Sequence, residues 1–98
     1  MQINKVTTGS KLEMALEGRL DTTTAPQLEA ELKTALTDIT ELVLDFAKLD
    51  YISSAGLRVL LSAQKTMNKQ GSMTICHVNA DIKEVFEITG FSDILTIV

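Results

Sequence analysis

The sequence predicts an α/β domain: a mixed β-sheet of about four to five strands packed with three to four helices. Residues 2–7 (QINKVT) and 12–17 (LEMALE) alternate apolar and polar side chains, and the turn-like TTGSK between them makes a β-hairpin. Downstream, the period changes three times to the spacing of amphipathic helices, each time beside a short apolar, strand-like run. Helices that alternate with strands cross over between parallel neighbours, so parallel pairs stand beside the N-terminal hairpin.

Each element follows in order. The second strand ends at Gly18-Arg19-Leu20, and Leu28, Leu32, Ala35 and Leu36 then share one face of a helix over 25–37. Thr24-Ala25-Pro26-Gln27 carries a capping-box pattern, with Pro near the first helical position. Residues 41–46 (ELVLDF) predict a strand buried on both faces. Ser53 or Ser54 begins a second helix, whose stripe of Leu57, Leu60, Leu61, Gln64 and Met67 runs on until Gly71 stops it. SMTICHV (72–78) is the next strand. Asn79 caps a third helix with Ile82, Val85, Phe86 and Ile88 inward and Gly90 as its stop. FSDILTIV closes the chain with a turn and room for a last strand.

Composition narrows the function. A chain of 98 residues with 45% hydrophobic and 22% charged residues is of single-domain size and reads as globular rather than disordered. With only Tyr51 and three phenylalanines, the core must be aliphatic. Net charge is −4 and basic residues do not cluster, which argues against nucleic acid or an anionic membrane as partner. No apolar span reaches membrane length and no signal-peptide pattern opens the chain. The single cysteine, Cys76, excludes an intrachain disulfide. These features together predict a cytoplasmic protein; a monomer or weak dimer is expected, and no phosphate-cradling glycine pattern calls for a cofactor.

The chemistry concentrates in LDYISSAGLRVLL (49–61), where an apolar strand gives way to a helix through two hydroxyls. One serine can cap the helix, and the next, at the first helical position, can point outward. Ala55 and Gly56 are small and would leave the surface open to another chain. A helix N-terminus also tolerates an anion, by about 0.3–1 kcal/mol.

GRLDTTTAPQLEAEL (18–32), LVLDFAKLDYISSAGLRVLL (42–61) and EVFEITGFSDIL (84–95) resemble the bacterial anti-sigma factor antagonists, stand-alone STAS-domain proteins, over essentially the whole chain. The resemblance implies a STAS-like fold over residues 1–98 and a mechanism called partner switching. The unphosphorylated antagonist binds an anti-sigma factor with serine kinase activity and releases the sigma factor. Phosphorylation of one antagonist serine ends that binding, and a serine phosphatase restores it. By position in the motif, the phosphorylated serine is Ser54. This chain departs from many members in having Ser53 in place of Asp and Ala55 in place of Ser or Thr, so a second hydroxyl lies one residue earlier. The partner surface expected from these loops comprises Asp21, Thr22, Thr23 and Thr24 with Ser53, Gly56, Leu57 and Arg58.

Two other readings stand beside it. STAS domains also serve as subunits of sensory or lipid-transport assemblies without a phospho-switch. An enzyme with Ser54 as nucleophile would need a base, and SSAG is not the G-x-S-x-G elbow. The only histidine, His77, adjoins Cys76 in a predicted strand, so the two should face opposite sides and form no metal site. Asp45 is read as structural.

Overall fold

The N-terminal alternation folds as an antiparallel hairpin in the computed structural model, which describes all 98 residues. Strand β1 (Gln2–Thr8) pairs with β2 (Lys11–Leu20), Thr8 opposite Lys11, across a two-residue turn where Gly9 takes φ 60°. A left-handed first position is what such a turn requires. Helix α1 (Ala25–Ala35) then leads to β3 (Glu41–Ile52), α2 (Ser54–Gln70) to β4 (Ser72–Cys76), and α3 (Ala80–Thr89) to a 3-10 turn at Phe91–Asp93. The sheet order is β1-β2-β3-β4, with β2, β3 and β4 mutually parallel.

The three parallel strands follow one another across the sheet in chain order. Right-handed crossovers that all step in one direction place their helices on one side. The core lies there: Leu12, Met14 and Leu16 of β2, Leu42, Leu44 and Phe46 of β3, and Met73 and Ile75 of β4 are buried beneath the helices. Their strand neighbours Glu13, Val43, Asp45 and Thr74 stay exposed or half-exposed on the other face. Strand β3 is therefore not buried on both faces as expected; Val43 sits in a half-open row, where a β-branched residue still packs well.

One central strand is longer than its alternation predicts. β2 ends at Leu20 as expected, whereas β3 runs to Ile52 instead of stopping at residue 46. The reason is a pair of register shifts, between Ala15 and Glu17 and between Gly18 and Arg19 of β2, where β3 carries an extra residue each time. The first shift leaves Ala47 and Lys48 both exposed, which breaks the period-two pattern without ending the strand. The Asp45 carboxylate accepts from Ala47 N at 2.9 Å and holds this bulge.

Helix ends are closed by side chains. Asn79 Oδ1 accepts from Ile82 N at 2.8 Å while its Nδ2 donates to Leu49 O at 3.0 Å, which ties α3 to β3. Gln70 Nε2, at the end of α2, donates to the carbonyls of Leu36 and Ile39 beyond α1, at 2.7 and 2.6 Å. Gly90 stops α3 in a left-handed conformation, as expected. The C-terminal segment adds only an isolated parallel bridge, Ile97 beside Ile75, and not a full strand. Strand β4 ends at Cys76; His77 lies beyond it with φ 58°.

On α3, Phe86 is fully buried and faces Phe46 with ring centroids 6.5 Å apart, whereas Ile88, expected inward, is 76% exposed. Ile88 lies two residues beyond Phe86, about 200° around the helix, and so turns to solvent. Phe86→Ala should cost about 3–5 kcal/mol of unfolding free energy in denaturant titration. Ile88→Ala should stay within about 0.5 kcal/mol of the parent. Equal losses at the two positions would contradict this placement of α3.

Candidate functional site

The loops after β2 and β3 meet at one end of the sheet because Leu20 and Ile52 are register partners. Ser53 N donates to Leu20 O at 2.9 Å, so the start of α2 is fastened to the end of β2. The first loop, Asp21–Thr24, folds around its own acid. Asp21 Oδ1 accepts from the amides of Thr23 and Thr24 at 3.0 and 3.1 Å. The Asp21 amide donates to Thr24 Oγ1 at 2.8 Å, and that hydroxyl donates to Arg19 O at 2.7 Å. The capping box expected at Thr24 does not form. Thr24 has φ −96° and ψ −19°, a helical backbone instead of the extended one that aims a cap side chain at the first turn.

This loop governs the state of Asp21. The Thr24 amide foremost, with that of Thr23, holds the carboxyl below the ordinary carboxylate value against the opposing effect of burial. Arg19 lowers it further, with Nε 3.6 Å from Asp21 Oδ2, while its guanidinium lies 4.3 Å over the Tyr51 ring. Arg19 and Tyr51 are additions to the expected site. They face each other across β2 and β3, a pairing visible only once the register shift is known.

The second loop is built on Ser53. Its backbone is extended, and its Oγ accepts from Gly56 N at 3.4 Å, a long cap bond, while its carbonyl accepts from Leu57 N at 3.0 Å. Ser53 is half-buried, and Ser54, the first residue of α2, is exposed. Arg58, one turn further along α2, is exposed on the same side of the helix as Ser54. Arg58, Thr22, Ala55, Pro26 and Glu29 line a shallow cleft that joins the two loops between α1 and α2.

The structure thus brings Asp21, Thr22, Thr23, Thr24, Ser53, Ser54 and Arg58 to one end of the domain. It does not put Gly56 or Leu57 on that surface, since both are buried. A β-carbon at Gly56 would lie 2.7 Å from Leu20 Cγ and 2.9 Å from Ile52 Cγ1. Glycine serves close packing of α2 on the strand ends here, not an approach from outside. His77 is also remote: its Nδ1 lies 2.9 Å from Asp45 Oδ1, and Asp45 precedes Ile52 by roughly 20 Å of strand. It is no base for Ser54 in this arrangement.

The site is thus a helix-starting hydroxyl set between two loops at one end of a one-faced α/β domain. The chain belongs to the STAS domain family, whose model matches residues 2–98. It is 46% identical over 85 residues to the provisionally named anti-sigma factor antagonist BtrV of Bordetella bronchiseptica, covering 84% of this chain and 72% of that protein. An anti-sigma factor antagonist from Mycobacterium paratuberculosis has a similar fold, with TM-score 0.88 at 18% identity over 98% of this chain and 83% of that one. So does SpoIIAA, in an unphosphorylated form (TM-score 0.78, 19% identity, 99% and 87% covered) and, from Bacillus, in a phosphorylated form (0.77, 19%, 99% and 91%). No helix is long and apolar enough to cross a membrane.

Two measurements check this construction. Gly56→Ala should lower stability by about 1–3 kcal/mol in chemical denaturation, because Leu20 or Ile52 must move; an unchanged midpoint would show that the contact is not tight. Because the Asp21 pKa is depressed, its stabilisation of the loop is present above the ordinary carboxylate value and is lost as pH falls through the lower folded value. The Thr23 and Thr24 amide resonances should titrate together with a midpoint below that ordinary value, and the step should vanish in Asp21→Asn. A midpoint at or above it would mean that the two amides do not bind the carboxylate.

Proposed function

We propose that this chain is an anti-sigma factor antagonist that works by partner switching, with Ser54 as its phosphoacceptor. Unphosphorylated, it binds an anti-sigma factor that is also a serine kinase, and the sigma factor is released. The kinase then transfers a phosphoryl group: Ser54 Oγ bonds to the γ-phosphorus of ATP, its proton leaves to base or solvent, and ADP departs. A serine phosphatase hydrolyses the ester and returns the binding form.

The observation that carries this reading is the position of Ser54, exposed at the first helical residue while Ser53 takes the cap. The division of labour makes Ser54 free to be modified and Ser53 engaged in the fold. The name borne by the Bordetella relative and the phosphorylated form known for SpoIIAA support the same reading. The partner surface is Asp21, Thr22, Thr23, Thr24, Ser53 and Arg58 around Ser54, with Gly56 and Leu57 fixing α2 from beneath.

Charge explains the switch. A phosphate adds about −1.5 to −2 at neutral pH. On the free domain it meets the amides of the first turn of α2 and the Arg58 side chain, so the fold tolerates it. In a contact with a partner it must be desolvated beside Asp21. A loss of about 3–4 kcal/mol there reduces affinity by a few hundredfold.

Incubation with the kinase partner and ATP should add one phosphate to the parent, seen by intact mass, and none to Ser54→Ala. That variant should still bind the partner, and Ser54→Asp should bind at least about tenfold more weakly, a loss of roughly 1.4 kcal/mol. Phosphate mapped to Ser53, or Ser54→Ala labelled as fast as the parent, would overturn the assignment. Absence of phosphate together with stable incorporation into a larger membrane assembly would favour the subunit reading instead.

A further inference from the structure

The uncovered face of the sheet carries a second chemical feature, apart from the loops at its end. Asp45 and Cys76 are register partners on β3 and β4, so the carboxylate and the thiol rise side by side from that face. His77 should point the other way by alternation, and it does not. Its φ of 58° puts it in the left-handed region, uncommon outside glycine, and the chain turns the imidazole back over β3. Nδ1 reaches 2.9 Å from Asp45 Oδ1. One ligand atom from each of Asp45, Cys76 and His77 lies within 4.8 Å of the other two. The expectation that Cys76 and His77 diverge is corrected by this turn.

We propose that Asp45, Cys76 and His77 form a binding site for a borderline-soft divalent ion of the zinc type. Sulfur, nitrogen and oxygen donors on three side chains are the set that such ions take, with a fourth position left for water or another donor. Bond lengths of about 2.0–2.3 Å place tetrahedral ligand atoms roughly 3.3–3.6 Å apart, so small side-chain rotations close the observed cluster around an ion. A thiolate donor selects against magnesium and calcium, which prefer oxygen. The site is also partly preorganised. Asp45 Oδ1 accepts from Ala47 N at 2.9 Å, which fixes the carboxylate plane in the manner of a supporting partner around a metal ligand. Ala15 and Val43 give a small, apolar floor, and His77 is exposed, which leaves the ion a path from solvent. On binding, the ion replaces the His77–Asp45 hydrogen bond, and the Cys76 thiol releases its proton to solvent.

Reduced, tag-free full-length protein titrated with Co²⁺ tests the site directly. The expected result is one Co²⁺ per chain, a thiolate-to-cobalt charge-transfer band in the near ultraviolet, visible bands of four-coordinate intensity, and displacement of all of these by Zn²⁺. Cys76→Ser should abolish the charge-transfer band. His77→Asn, chosen because Asn accepts a left-handed backbone, and Asp45→Asn should each weaken binding by at least about tenfold. Far-ultraviolet circular dichroism establishes that each variant is folded, with Cys76→Ala standing in for Cys76→Ser if the latter is not. No charge-transfer band at saturating Co²⁺ would overturn the proposal. So would undiminished binding in both His77→Asn and Asp45→Asn, which marks a lone-thiol adduct, or one ion per two chains, which marks a bridge between Cys76 residues.

Discussion

The N-terminus of α2 rests directly on the ends of β2 and β3, and the space between them admits no β-carbon at position 56. The rest of the site takes its geometry from that contact. With Gly56 against Leu20 and Ile52, the Ser53 amide meets the Leu20 carbonyl, Ser53 becomes the cap, and the rotational phase of the helix is set. That phase sends Leu57 and Leu60 into the core and turns Ser54 and Arg58 to solvent. A helix begun one residue later would be rotated by about 100° and would bury a different set. A packing contact thereby decides which of two adjacent hydroxyls is exposed.

Much of this was legible in the sequence where a period was unbroken. The hairpin, the three helices and their order follow from alternation and helical spacing, and Ser53 and Asn79 cap as their positions predict. The failures have specific causes. Strand β3 hid its length because Ala47 and Lys48 sit at a bulge, where two neighbours face outward in succession. Its second face looked buried because Val43 and Leu42 are equally apolar, and only the common direction of the crossovers tells which is covered. Gly56 invites the reading of an open surface, since a missing side chain signals close approach without saying from which side. His77 escaped for a backbone reason: a left-handed residue cancels the alternation that pointed it away from Asp45. At the site, Thr24 had the letters of a cap, but its own loop engages its hydroxyl first.

The two loops divide polar duties with little overlap. Asp21 commits one oxygen to its own loop amides and lies with the other near Arg19, while the cap of α2 falls to Ser53. Ser53 commits its oxygen to Gly56 N. A negative group added at Ser54 would therefore break none of these bonds. Such a modification would change the electric field at the end of the domain while leaving these backbone bonds in place.

The ends of the sheet differ in how their backbone groups are used. At β4, the carbonyl of Thr96 and the amide of Val98 bond Ile75 at 2.9 and 3.0 Å, so the C-terminal segment covers that border at Ile75. At β1 no strand lies beyond, and Val6 is 61% exposed there. Strand addition from a second copy therefore meets a border covered at Ile75 on β4 and an open one on β1. Joining β1 to β1 would use the open border and would close as a symmetric pair. Residues 96–98 thereby bias any edge pairing of this domain towards its N-terminal hairpin.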